Sequence, residues 1–250
     1  MDDNLSQKFI SRDSIKRLIR DIKEIIKSPL IEEGIYYKHD QTDMLKGYAM
    51  IIGPKDTPYE NGYYFFQFNY PANYPFSPPN VIYCTNDGLT RFNPNFYKNG
   101  KVCISVLNTW SGEQWTSCQT ISSILLILCS LLNNNPLLNE PGITNNDFHK
   151  KECILYKNII EYKNIEIAIA SMIIKDNYFN PEFDIFYDDM KEIFNKNYIN
   201  LISKIEKNLD YCTIIQTKTY NMRFSINYNN LLCLIKECYN KINNKIELKI

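Results

Sequence analysis

Four prolines within residues 71–79 constrain this chain more than any other feature. Pro71, Pro75, Pro78 and Pro79 each remove an amide donor and fix a backbone angle, so this segment is a rigid loop and not the interior of a strand. The loop punctuates the chain. Before it come short runs rich in β-branched and aromatic residues, Gly47-Tyr48-Ala49-Met50-Ile51-Ile52 and Tyr63-Tyr64-Phe65-Phe66-Gln67-Phe68, each closed by Gly or Pro. Such runs read as an antiparallel meander. Asn61-Gly62 favours a turn between them, although residues 54–60 make the connection longer than a two-residue hairpin. Helical periodicity holds elsewhere. Ile15, Leu18, Ile19, Ile22, Ile25 and Ile26 predict an amphipathic opening helix, with Ser11 or Asp13 as cap and Pro29 as stop. Ile121, Ile124, Leu125, Leu128, Leu131 and Leu132 predict a second helix, buried on one broad face and including Cys129 in its packing. Helical patterns continue from Ile154 to Ile174.

Composition narrows the partners. The chain has 28 basic and 28 acidic residues among its 250, and an isoelectric point near 6.7. No overall field therefore draws it to nucleic acid or anionic lipid, and a protein partner is expected. Residues 1–10 carry two aspartates and no apolar secretion signal, and the apolar run around Ile124 to Leu128 is too short to span a bilayer. A soluble intracellular protein is expected, cytoplasmic with the nucleus also open to it, bound to neither membrane nor nucleic acid. The eight cysteines then read as thiols. None forms a Cys-x-x-Cys pair. Cys233 and Cys238 lie in a helical pattern without second ligands, so no metal site is expected. His39 and His149 are far from Cys103 in sequence and sit in no protease-like motif.

Residues 91–106 combine an Asn-Pro-Asn corner, an Asn-Gly turn and Cys103 between Val102 and Ile104, which together read as loop, turn and short extended segment. Taken alone, Cys103 is better explained as a small buried hydrophobe. Its surroundings favour another reading. Asn93-Pro94-Asn95, Asn99-Gly100-Lys101-Val102-Cys103, Trp115 and Thr120-Ile121-Ser122 stand in the order of the active-site segment of ubiquitin-conjugating enzymes. Upstream, Gly53-Pro54, Pro58-Tyr59-Glu60-Asn61-Gly62 and Tyr74-Pro75-Phe76-Ser77-Pro78-Pro79 are similar to further signatures of that family. Asn93 stands where the family has histidine, and residues 107–115 form a longer link than most members have. With Asn139-Glu140-Pro141-Gly142, these departures resemble the large Z-type class, which also has a C-terminal extension.

The resemblance implies an α+β fold: a conjugating core with a four-stranded antiparallel meander packed against helices, plus a helical extension. The boundaries expected are a segment over 1–10, the core over 11–176 and a mainly helical extension over 177–250. In the extension, Phe186, Met190, Ile193, Phe194, Leu201, Ile202 and Ile205 suggest one helix, and Leu231, Leu232, Ile235, Cys238, Tyr239 and Ile242 another. Both have enough apolar surface to fold back on the core.

The implied activity is acyl transfer. Cys103 accepts ubiquitin, or a ubiquitin-like modifier, as a thioester from an activating enzyme and yields it to a lysine or a ligase cysteine. No cofactor is implied, because ATP is consumed by the activating enzyme. A thioester is already activated, so the thiol needs no strongly lowered pKa. By family position the Asn95 amide stabilises the developing oxyanion, or braces the turn, or does both. Glu140, preceding Pro141, is the candidate for orienting or deprotonating the incoming lysine. Asn93 keeps the donor and acceptor needed to shape the loop. Lys16, Arg17 and Arg20 are candidates for contacting the activating enzyme, although a solvated face is the plainer reading. Phe76 is a candidate anchor for RING or HECT ligases, or a cover for the adjacent core. Ser117 and Cys118 replace the family's second ligase-contacting pair, and Trp110 is placed to wall the groove. Two rival readings stand: a non-catalytic scaffold for ubiquitin, although such variants lack the cysteine, and an unrelated structural domain using Phe76 and Trp110 only for contacts.

Overall fold

Of the two candidate caps at the amino end, Ser11 is used. Its hydroxyl accepts from the Ser14 amide at 3.1 Å and opens helix α1 (Arg12–Lys27). The computed structural model describes residues 10–243, so the segment expected over 1–10 lies, apart from Ile10, outside the described residues. Leu18 and Ile25 of α1 face the core, whereas Ile26 is turned to solvent, one helical step beyond the buried stripe.

The strands form the expected meander. β1 (Ile35–His39), β2 (Lys46–Ile52), β3 (Tyr63–Asn69) and β4 (Asn80–Tyr83) pair antiparallel in chain order. The register sets Met50 opposite Phe65 and Ala49 opposite Phe66. Side chains alternate along a strand, yet Tyr63, Tyr64, Phe65 and Phe66 are all buried. The sheet is therefore covered on both sides. Phe66 packs edge-on to Phe96 at 5.2 Å and Tyr64 packs against Phe92 at 6.1 Å, so one face meets the segment leading to Cys103. On the other face, Phe65 stacks on Phe183 at 4.6 Å and Tyr48 meets the same ring at 5.6 Å. At the β2–β3 connection, a Cβ on Gly62 would lie 2.0 Å from the Asn164 side-chain oxygen, so glycine is required there by close approach.

Downstream helices complete an α+β arrangement. α2 (Ile121–Leu131) opens with a reciprocal capping box between Thr120 and Ser123. After a 3₁₀ turn at Pro136–Asn139, Asn146 caps α3 (Asp147–Lys163), which runs through a π-helical stretch, Asn164–Ser171, into α4 (Met172–Ile174). A 3₁₀ segment, Pro181–Phe186, then lays Phe183 on the sheet and leads into α5 (Tyr187–Glu206).

The remainder is mainly helical, as expected, and adds a strand pair that the helical stripes do not predict. Between α5 and α6 (Tyr228–Asn243) lies an antiparallel hairpin, β5 (Cys212–Gln216) with β6 (Arg223–Asn227). Helical stripes on either side outweigh this short alternation in the sequence. The extension is bound to the core along its length: the Tyr63 hydroxyl donates to the Met190 carbonyl at 2.9 Å, and Lys38 pairs with Asp189 at 2.9 Å. Phe183 is fully buried, so Phe183→Ala should cost about 3–5 kcal/mol of stability, measured by chemical denaturation of the full chain.

Candidate active site

The Asn-Pro-Asn corner closes on itself. Asn95 N–H donates to the Asn93 side-chain oxygen at 2.9 Å, and the Asn93 amide donates to Tyr59 Oη at 3.0 Å and to the Leu131 carbonyl at 2.8 Å. Asn93 is fully buried, and its donor-acceptor pair fixes the corner to both β3's loop and the end of α2. The Asn-Gly turn returns the chain, with Gly100 at φ +87° and the Gly100 amide on the Tyr97 carbonyl at 2.9 Å. Cys103 N–H then donates to the Asn95 carbonyl at 2.9 Å. These bonds set the cysteine beside the corner despite the intervening residues.

Cys103, Asn95, Trp110 and Glu140 share one depression of about 60 Å³, lined also by Pro94, Tyr97, Asn139 and Pro141. Four residues singled out separately in the sequence are thus brought together. Neither His39 nor His149 lines it. His39 Nδ1 pairs with the Tyr37 hydroxyl at 2.8 Å, and His149 accepts from the Thr144 amide at 3.2 Å. Among the described residues, no group of three or more His, Cys, Asp or Glu side chains is arranged to hold a metal ion.

The depression differs from an open groove. Cys103 is only 5% exposed. Residues following it curl back: Thr109 Oγ1 accepts from the Ile104 amide at 2.9 Å and donates to the Ile104 carbonyl at 3.0 Å, while the Cys103 thiol donates to the Thr109 carbonyl at 3.2 Å. The longer link after the cysteine is the physical reason for the closure. Trp110 stands at its rim, half exposed at 50%.

Asn95 lies on the same side as the sulfur. Its side-chain amide donates to the Cys103 carbonyl at 2.7 Å, which is the bracing role, while its buried oxygen has no hydrogen-bond partner among the described residues. Glu140 caps the 3₁₀ turn and accepts a bond from the hydroxyl of Tyr220, which comes from the extension. Burial foremost, then that carboxylate, pushes the Tyr220 phenol well above its ordinary range, so it remains a donor. Arg91 lies behind both: its guanidinium stacks on Tyr97 at 3.4 Å, faces Tyr220 at 5.0 Å and donates to the Asn93 and Pro94 carbonyls at 3.1 and 2.6 Å. Sequence reasoning missed the parts of Arg91, Thr109 and Tyr220.

Apart from Trp110, the candidate partner contacts lie on α1, the proline loop and residues 117–118, and there Arg17 departs from expectation. It is not a free surface cation. Its Nε pairs with Asp21 at 2.8 Å, and its remaining nitrogens donate to the Ser117 and Gln119 carbonyls. Asp21, buried, also accepts from the Tyr74 hydroxyl at 2.6 Å, and Trp115 Nε1 donates to the Pro75 carbonyl at 2.7 Å. Arg17 is therefore a strut joining α1, the proline loop and residues 117–119. Around that strut Lys16, Arg20, Ser117 and Cys118 are exposed, and Phe76 stands out at 74% exposure.

Comparison with known proteins follows the same outline. The family model described as Ubiquitin-conjugating enzyme matches residues 17–181. Ubiquitin-conjugating enzyme E2 Z of Xenopus tropicalis is 42% identical over 164 residues, covering 65% of this chain and 51% of its own. The Homo sapiens protein of that name is 43% identical over 157 residues, 62% of this chain and 44% of its own. The matched part spans about half the length of these relatives.

Proposed function

The chain belongs to the ubiquitin-conjugating enzyme family and is of the Z-type class within it, and from that premise we propose that Cys103 carries ubiquitin or a ubiquitin-like modifier as a thioester. The observation that supports this most is the convergence of Cys103, Asn95 and Glu140 on one depression. In the first step the Cys103 thiolate attacks the modifier's C-terminal carbonyl. A carbon–sulfur bond forms, and the activating enzyme's thiolate leaves. In the second, a lysine amine attacks the same carbon, the bond to Cys103 breaks, and the amine proton passes towards Glu140 or water. A ligase cysteine can replace the amine. Negative charge on the carbonyl oxygen develops within reach of the Asn95 amide. The reading calls for no bound cofactor and places the protein in the cytoplasm, with access to the nucleus.

Charging requires movement. The thiol must leave the Thr109 carbonyl, and Trp110 must make room for the modifier's tail. Exposed Lys16 and Arg20 suit an acidic surface of the activating enzyme, whereas Phe76, Ser117 and Cys118 suit a RING or HECT ligase. The closed thiol favours the alternative of a non-catalytic ubiquitin scaffold. Incubation with ATP, activating enzyme and ubiquitin, read on a non-reducing gel, separates them. A thiol-sensitive adduct supports the carrier, and absence of any adduct with every modifier tried supports the scaffold.

A further inference from the structure

The extension reaches the depression through the β5–β6 connection. Tyr220 there has φ of +61°, a left-handed backbone that a bulky residue keeps only where its surroundings over-determine it. The surroundings do so. On one side the Thr219 amide donates to Glu152 at 2.7 Å, and on the other the Arg91 amide meets the Met222 sulfur at 3.3 Å, while Thr217 and Met222 close the loop at 2.9 Å. The Tyr220 ring is wedged against Arg91 and Tyr156, and its hydroxyl ends on the Glu140 carboxylate. Among the described residues no other side chain bonds that carboxylate.

We propose that Tyr220 is a positioning residue for the second step, holding Glu140 at the rim of the Cys103 depression where the incoming amine must pass. The inference rests on the carrier reading above and adds to it a function for the extension. A carboxylate at the end of a loop samples many directions. A fixed phenol restricts it to one, and the left-handed backbone aims the phenol. The hydroxyl forms and breaks no covalent bond and keeps its proton throughout.

The test uses the full chain and its Tyr220→Phe variant, which keeps the ring and its packing. Both are charged with ubiquitin, the activating enzyme is stopped, and discharge to free lysine is followed over a range of lysine concentrations. Charging should proceed alike, while discharge at saturating lysine should slow roughly tenfold, the low end for loss of a hydrogen bond to a charged group. In a Glu140→Gln background the same change should add almost nothing, because its route is gone. Equal discharge by Tyr220→Phe overturns the proposal alone. So does an equal slowing in the Glu140→Gln background, which would assign Tyr220 a general structural part. Failure of the unaltered chain to charge removes the carrier reading and this proposal together.

Discussion

Cys103→Ala should abolish the thiol-sensitive adduct completely while leaving the protein folded. The side chain is small, its sulfur makes a single weak bond to the Thr109 carbonyl, and the surrounding corner is held by backbone and asparagine bonds that the substitution does not touch. Stability should fall by only about 1 kcal/mol, the scale of one ordinary hydrogen bond. The chemical effect is total because an alanine methyl offers no nucleophile. Cys103→Ser should instead accumulate an adduct that survives reducing agent, since an ester forms where the thioester stood. An adduct persisting in Cys103→Ala would move the carrier site to another of the eight cysteines and remove Cys103 from the chemistry.

Asn95→Ala should charge but discharge to free lysine about 100- to 1,000-fold more slowly, corresponding to about 2.7–4 kcal/mol of transition-state stabilisation from one oxyanion donor. The resting structure makes this a demanding prediction. The amide that would serve the oxyanion is bonded to the Cys103 carbonyl at 2.7 Å, so a purely bracing role would appear as loss of stability together with poor charging. The mechanistic role appears as near-normal charging with slow discharge. Unfolding midpoints measured beside the two half-reactions tell these apart, and unchanged discharge would take Asn95 out of the mechanism.

Much of the architecture was legible because its signals are local. The four prolines of residues 71–79 mark a break, runs rich in β-branched and aromatic residues mark strands, and the order of motifs around Cys103 points to the family. The consecutive aromatics Tyr63 to Phe66 hold a further signal. A strand apolar at every position is covered on both faces, and here the second cover is the extension, through Phe183. The β5–β6 hairpin was legible in the same sense, since Arg223-Phe224-Ser225-Ile226-Asn227 alternates strictly, but five residues compete poorly with the long helical stripes around them.

What escaped was set by tertiary contact. Arg17 and Asp21 stand four apart on one helix, a spacing that pairs them, yet nothing local says that the pair turns inward to meet Tyr74. Tyr220 lies 80 residues from Glu140 in a stretch without a motif. Its value comes from a backbone angle and a neighbour, neither of which composition reveals. The closure over Cys103 is similar: a longer link is visible in the sequence, but its return to the thiol depends on the hydroxyl and carbonyl of Thr109.

That closure orders the chemistry of the thiols. Cys118, Cys212 and Cys233 are exposed, whereas burial pushes Cys84 and Cys238 up to about 12. Electrophiles and peroxides need access to sulfur, so the three exposed thiols are open to them while Cys103, 5% exposed, is shielded. On the carrier reading proposed above, the link after Cys103 keeps that sulfur in reserve, unspoiled until the Thr109 carbonyl releases it.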